Sequence, residues 1–275
     1  MPLRGSMCKL RLLDVSPPAT RRKMNETQKK ELQKILSRVR AAVERYEMIS
    51  DGDVVAVGVS GGKDSLAMLC ALSALKEFLP AKFDVIALQI DMGFEKSEKI
   101  AAAKNEHEEI RALCDSLGVR YVVKETELAK VIFDIRNESN PCSLCSRMRR
   151  GLLVDTAKEL GCTKIALGHH YDDAAETFML NLFFEGRIGC FRPVTYLSRS
   201  DMTVIRPMIL TEERLIKSFV KKVGLPVETS PCPEDKHTER EEMKALLHAE
   251  DRRHRGIYHR VVGAIERSGI DGWRE

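Results

Sequence analysis

Three observations predict an α/β fold with a doubly wound parallel sheet and helical additions at both ends. Segments of helical and of strand period alternate through the middle of the chain. The strand segments are β-branched and apolar on both faces, as in sheets covered on two sides. The main glycine-rich stretch lies between the first such strand and a helix.

Residues 1–24 hold the tandem Pro17 and Pro18 and no sustained period, which predicts a mobile tail. Across 25–49, Leu32, Ile35, Val39, Val43, Tyr46 and Ile49 recur every three or four positions, an amphipathic helix stopped by the turn at Asp51, Gly52 and Asp53. Residues 54–59 read as a buried strand, 64–78 as a helix, 83–90 as a strand, 97–117 as a helix and 119–123 as a third strand. A helix is expected at 147–160, a short strand at 164–167, a helix at 172–184 and a strand near Val204. Helices at 212–223 and within 239–267 close the chain. The division expected is a tail (1–24), an N-terminal helix (25–50), a nucleotide-binding α/β domain (51–210) and a C-terminal helical region (211–275) that contributes Cys232.

The 275 residues are 43% hydrophobic and 31% charged, which excludes a disordered or collagen-like chain. No stretch approaches the roughly 18 apolar residues of a membrane span, and no signal-peptide pattern opens the chain, so a cytoplasmic protein is expected. The net charge of +4 forces no partner, but basic residues cluster at Arg21, Arg22 and Lys23, at Arg147, Arg149 and Arg150, and at Arg252, Arg253 and Arg255.

The eight cysteines divide by context. Cys70, Cys114, Cys162 and Cys190 have apolar or glycine-rich neighbours and read as small core residues, and Cys8 falls in the tail. Cys142 and Cys145 follow Pro141 in a polar turn, and Cys232 stands between Pro231 and Pro233. Three thiolates brought together could hold an iron–sulfur cluster, a zinc site completed by His237, or a redox pair able to carry a persulfide. Arg147, Arg149 and Arg150 would start the helix after this turn, where cations oppose the helix dipole, so phosphate contact rather than local stability explains them.

The stretch Gly58, Val59, Ser60, Gly61, Gly62, Lys63, Asp64, Ser65 follows the first strand and opens a helix. Free N–H groups at a helix start, with glycines permitting close approach, make a phosphate cradle. It is neither a Walker A loop, since Asp64 follows Lys63, nor a dinucleotide fingerprint. It resembles the SGGxDS loop of the PP-loop ATP pyrophosphatase superfamily, whose members cleave ATP between the α and β phosphates. Leu167, Gly168, His169, His170, Tyr171, Asp172 and Asp173 resemble that superfamily's second motif. The string from Pro141 to Gly151 is similar to the cysteine motif of the tRNA 2-thiocytidine synthetase (TtcA) family, and Cys232 matches a further family cysteine. The likeness runs from about Asn25 to His237. It departs where bacterial members often have a second cysteine three places on, since Pro233, Glu234 and Asp235 follow Cys232. The paired terminal zinc-binding CxxC motifs of 2-thiouridine enzymes are missing, which favours the cytidine branch.

The resemblance implies a PP-loop fold and an ATP-dependent tRNA sulfurtransferase. Residues 58–65, Arg149, Gly168, His169 and Asp173 would bind the nucleotide, and Lys63 and Mg²⁺ would hold the phosphates. Cys142, Cys145 and Cys232 would hold a [4Fe–4S] cluster and, with Asp64, serve catalysis. The partners implied are tRNA, a sulfur donor such as a cysteine desulfurase or free sulfide, and a second copy in a homodimer. Two other classes compete: a PP-loop adenylating ligase, amide- or lysidine-forming, which would not need the three cysteines, and a nucleotide- and metal-binding regulator without turnover.

Overall fold

The computed structural model describes residues 9–13, 25–100, 102–103, 105, 107–136, 141–234 and 239–274. In chain order the elements are β1 (Lys9–Leu13), α1 (Glu26–Arg45), β2 (Val54–Val59), α2 (Lys63–Leu75), β3 (Asp84–Asp91), α3 (Glu108–Leu117), β4 (Arg120–Glu125), α4 (Pro141–Glu159), β5 (Lys164–Ala166), α5 (Tyr171–Phe184), β6 (Val194–Leu197), β7 (Met202–Ile205), α6 (Glu213–Val223), α7 (Glu239–Arg253) and α8 (Ile257–Ser268). A seven-stranded sheet runs β1-β4-β3-β2-β5-β7-β6. The strands from β4 to β7 are parallel, and β1 and β6 pair antiparallel at the two edges.

Side chains of a strand alternate between faces, and here both faces are covered. Val55, Val57 and Val59 of β2 join Val85 and Ala87 of β3 in the core beneath α1, α2 and α6. Ala56, Ile86, Leu88 and Val122 face the other way, against Val154 and Ala157 of α4. Helix α2 is apolar all round because it is enclosed: Leu66, Leu69, Leu72 and Leu75 are fully buried, each contributing about 2 kcal/mol of hydrophobic stabilisation. Asn25 and Gln28 bond each other's backbone amides and start α1.

The chain winds outward through β2, β3 and β4, then crosses back to β5 on the other side of β2. The switch point between β2 and β5 is where ligands of such sheets bind, at the carboxyl ends of the strands.

Three expectations are corrected. Lys9–Leu13, assigned to the tail, forms β1, with Lys9 opposite Glu125 and Leu13 opposite Tyr121; its edge pairing is supplied by β4, which a local period cannot reveal. The described residues between Ser97 and His107 are not helical, and α3 begins at Glu108. The Asp134 carboxylate captures the Ser97 hydroxyl and the Glu98 and Lys99 amides, and no apolar stripe offsets that. Cys142 and Cys145 lie in the first turns of α4 rather than in a loop before it. Pro141 opens that helix at a position where a missing N–H is harmless. Arg147, Arg149 and Arg150 therefore sit inside the helix, and the dipole argument about them lapses. The edge hairpin strand β6 and the π-helical turn Lys130–Arg136 were not anticipated.

Candidate active site

The phosphate loop leaves β2 at Ser60 and enters α2 after Gly62, which caps that helix with no side-chain acceptor. The loop is braced from within. Ser65 Oγ accepts from the Ser60 amide at 3.1 Å and donates to the Gly62 carbonyl at 2.9 Å, and Ser60 Oγ accepts from the Gly62 amide at 3.4 Å. Amides at the helix start remain presented to an anion, with the helix dipole behind them. Gly61 has φ +80°, and Gly58 packs against Leu153 and Leu167 where a Cβ would lie 3.4 and 3.5 Å from them. Val59 is buried in the core below.

Lys63, expected on the phosphates, is held by acids: its Nζ lies 2.8 Å from Asp64 and 3.1 Å from Glu213. Burial lowers its affinity for the proton, but the Asp64 and Glu213 charges outweigh burial and raise it. Glu213 is also met by Lys217 at 2.9 Å and Lys244 at 3.0 Å; burial pushes its carboxyl up, and the three lysines hold it far below the usual range.

The second motif follows β5. A Cβ on Gly168 would stand 3.3 Å from the Asp64 carbonyl carbon and the Ser65 nitrogen, so this glycine lets the two motifs touch. His170 caps α5 in a reciprocal pair with Asp173: the His170 amide donates to Asp173 Oδ2 at 2.8 Å and the Asp173 amide donates to His170 Nδ1 at 3.3 Å. His170 Nε2 stands between Asp64 at 3.8 Å and Asp173 at 3.7 Å. Asp173 pairs with Arg240 at 2.7 Å; burial raises its carboxyl, but His170 and Arg240 together hold it below the usual range. His169 packs against Phe191, with ring centroids 5.0 Å apart. Burial, then the Arg206 charge, push it down to about 3, so it is neutral.

Cys142 is exposed, and Cys145 and Cys232 are half-buried. Cys145 is seated on the apolar cluster of Ile90, Met92, Leu128 and Ile132. Burial pushes its thiol up, Arg149 one turn on pulls it down, and Cys232 and Cys142 push it up again, so the three thiols share one field. Arg149, expected on the nucleotide, thus stands beside the cysteines. No three His, Cys, Asp or Glu groups lie together at metal-binding distance among the described residues. The donor set itself, three thiols, has the soft chemistry that iron–sulfur clusters take. Cys70, Cys114, Cys162 and Cys190 are buried, as their neighbours implied. His237, Cys8 and the cluster of Arg21, Arg22 and Lys23 lie outside the described residues.

Sequence reasoning missed Glu213, Lys244, Arg240, Glu176, Glu228 and His107. The Glu228 amide donates to the Gly61 carbonyl at 3.0 Å, and His107 Nδ1 lies 2.9 Å from the Glu228 carboxylate. Only the pair Asp173 and Glu176, three apart on one face of α5, gave a local signal. Glu213, Lys244 and Arg240 arrive from distant helices, Glu228 from the segment after α6, and His107 from the cap of α3.

A phosphate loop after the first central strand and a touching second motif at the switch point define a PP-loop nucleotide-binding protein, and residues 24–250 match the PP-loop domain family. The tRNA-cytidine(32) 2-sulfurtransferase of Geobacter metallireducens is 36% identical over 247 residues, 88% of this chain and 92% of that protein. The protein of the same name from Aromatoleum aromaticum is 37% identical over 85% of this chain and 72% of its own length. The chain belongs to the PP-loop family and, within it, to the family of the tRNA-cytidine(32) 2-sulfurtransferases. The solved structure of the U34-tRNA thiolase NcsA from Methanococcus maripaludis, with its [4Fe–4S] cluster, has the same fold: TM-score 0.70 at 24% identity, covering 88% of this chain and 79% of that one.

Proposed function

We propose that the protein is an ATP-dependent tRNA sulfurtransferase that replaces the C2 oxygen of cytidine 32 by sulfur, the activity its relatives' name states. The observation that carries the reading is a juxtaposition. Glu228, whose amide donates to the Gly61 carbonyl of the phosphate loop at 3.0 Å, is four residues from Cys232, and Cys142 and Cys145 stand one turn apart at the start of α4. Adenylation and sulfur chemistry would then occur at one face.

In this reading the amides of the loop and the start of α2 hold the phosphates of ATP, and developing charge on the leaving pyrophosphate is met by fixed dipoles. Lys63 is released from Asp64 toward the phosphates, while Glu213 keeps it oriented. The partly exposed Asp64 would help hold Mg²⁺, which when bound would offset the phosphate charge. The C2 oxygen of the base attacks the α-phosphate, pyrophosphate leaves, and sulfur then displaces AMP at C2. His170 and Arg240 keep Asp64 and Asp173 fixed across the site. Cys142, Cys145 and Cys232 would hold a [4Fe–4S] cluster, the group present in the structure of the Methanococcus maripaludis thiolase. When bound, such a cluster supplies an iron site open to a sulfur ligand. A cysteine desulfurase or free sulfide supplies the sulfur, and the working unit is a cytosolic homodimer.

The test is anaerobic purification of wild type and Cys142→Ala, with iron, acid-labile sulfide and zinc measured, followed by nucleoside analysis of tRNA after incubation with ATP, Mg²⁺ and sulfide. About four irons and four sulfides in wild type alone, with ATP-dependent 2-thiocytidine, support the reading. Zinc without iron, or an ATP-dependent change of the tRNA that adds no sulfur and survives loss of all three cysteines, overturns it in favour of a PP-loop ligase.

A further inference from the structure

β2, β5 and β7 are adjacent and parallel, with Val57 opposite Ala166 and Ala166 opposite Ile205. Each carboxyl end feeds the same face. β2 delivers the phosphate loop, β5 delivers Gly168 to His170, and β7 delivers Arg206. The first two have a function in the reading above; Arg206 has none.

Its guanidinium is placed with care. Nη1 donates to the Arg192 carbonyl at 2.6 Å and to Thr195 Oγ1 at 3.2 Å, and the group lies 5.1 Å over the Phe191 ring. Phe191 in turn stacks on His169 of the second motif. Nε of Arg206 is buried with no hydrogen-bond partner. Arg150 of α4 faces it across a small cleft of about 50 Å³ also lined by Leu153, Leu167, Thr195 and Val204. Burial, and then the Arg150 charge, push the Arg206 guanidinium down to about 10, and no carboxylate is among the groups acting on it. The other half-buried cations of the site each have an acid: Lys63 has Asp64 and Glu213, Lys244 has Glu213, and Arg240 has Asp173 and Glu176. Two facing guanidiniums with an unused donor and no carboxylate ion pair among the described residues call for an external anion.

We propose that Arg206 and Arg150 form a phosphate subsite at the carboxyl end of β7 that takes a backbone phosphodiester of the RNA substrate. The cleft is far below the roughly 300 Å³ of a small-molecule pocket, so it admits an oxyanion and not a nucleoside. It lies two strands from the phosphate loop, about 10 Å at sheet spacing, on the side away from β3. Arg147 continues the positive row one turn back along α4, exposed like Arg150. A repeating phosphate backbone matches that row, whereas one triphosphate seated on the loop does not.

The inference rests on the tRNA reading, and its test separates the two. Binding of an unmodified tRNA transcript with cytidine at position 32 is measured by fluorescence anisotropy at several salt concentrations, and ATP binding is measured without RNA. Arg150→Gln, an exposed change, is expected to weaken tRNA binding several-fold, to lower the salt slope by about one and to leave ATP affinity unchanged. Arg206→Gln is expected to do the same and Arg206→Lys to keep part of the affinity; melting curves identify any variant of Arg206 that fails to fold. An unchanged slope in Arg150→Gln, with tRNA binding intact in wild type, overturns the subsite alone. Lost ATP affinity with an unchanged tRNA slope assigns the phosphate to the nucleotide and overturns it as well. A wild type that binds no tRNA overturns both readings.

Discussion

The Glu228 amide donates to the Gly61 carbonyl at 3.0 Å, which fastens the segment leading to Cys232 onto the phosphate loop. The same contact places the Glu228 carboxylate against the Gly61 α-carbon, with His107 on its outer side. At φ +80° the loop needs a residue without a Cβ, and a Cβ there would also stand 2.6 Å from Glu228 Oε2. Gly61→Ala is therefore expected to lower stability by about 1–2 kcal/mol and to weaken ATP binding. The side-chain clash is with the end of a flexible carboxylate and the strain is in the backbone. Adding Glu228→Ala should then recover little of either. Full recovery in the double variant, in melting and ATP titration, would show that the clash and not φ sets the cost.

The cysteines should separate by reactivity. Burial pushes Cys70, Cys114 and Cys190 up to about 12, and all three are enclosed in the core. Cys142 is exposed on the first turn of α4. In metal-free protein at pH 8, iodoacetamide followed by peptide mass mapping should label Cys142 first. It should leave Cys70, Cys114 and Cys190 unmodified until urea unfolds the chain, because the thiolate is the reactive form and access is required. Labelling of Cys70 at the rate of Cys142 under native conditions would contradict this core.

What the sequence made legible follows from the range of the forces involved. β2 and α2 are local patterns, and their apolar runs and glycine loop could be read directly; the same holds for the motif at Gly168 and Asp173. The start of α4 is hidden in the sequence because Pro141 fits a turn as well as the first position of a helix. β1 is an edge strand whose partner β4 lies far along the chain, and β6 is a four-residue edge strand completed only by its hairpin to β7. The ion network was invisible for a similar reason: Lys63 meets Glu213 and Asp173 meets Arg240 only once α6 and α7 have packed beside the loop. Arg206 offered one clue, a cation directly after a strand in a sheet that binds ligands at its carboxyl edge.

Glu176 makes a pH-dependent contribution whose sign is fixed by its surroundings. Burial, then the Asp173 charge, push its carboxyl up to about 7 against the pull of Arg240 and Lys244, and its Oε1 is buried without a partner. In the unfolded chain the group ionises near 4.5. Between these values the folded state holds a proton that the unfolded state has lost, so this contribution falls as pH rises from about 4.5 through 7 and then levels. The upper bound is on the order of 3 kcal/mol. Glu176→Gln cannot ionise, so its stability relative to wild type should improve from pH 5 to pH 8 in urea melts. Parallel pH curves for the two proteins would remove Glu176 as the source.

His170 combines two duties that substitution can separate. Its Nδ1 accepts the Asp173 amide, and its Nε2 lies 3.8 Å from Asp64 and 3.7 Å from Asp173. The first duty is a helix cap, and asparagine performs it as well as histidine; the second needs the reach of an imidazole. His170→Ala should therefore lose about 1 kcal/mol of stability, and His170→Asn should retain most of it. Both should raise the KM for ATP in tRNA-dependent pyrophosphate release, because neither reaches Asp64. Equal urea midpoints for the two variants would remove the capping role. A KM for His170→Asn equal to that of wild type would mean that Asp64 keeps its place without the ring.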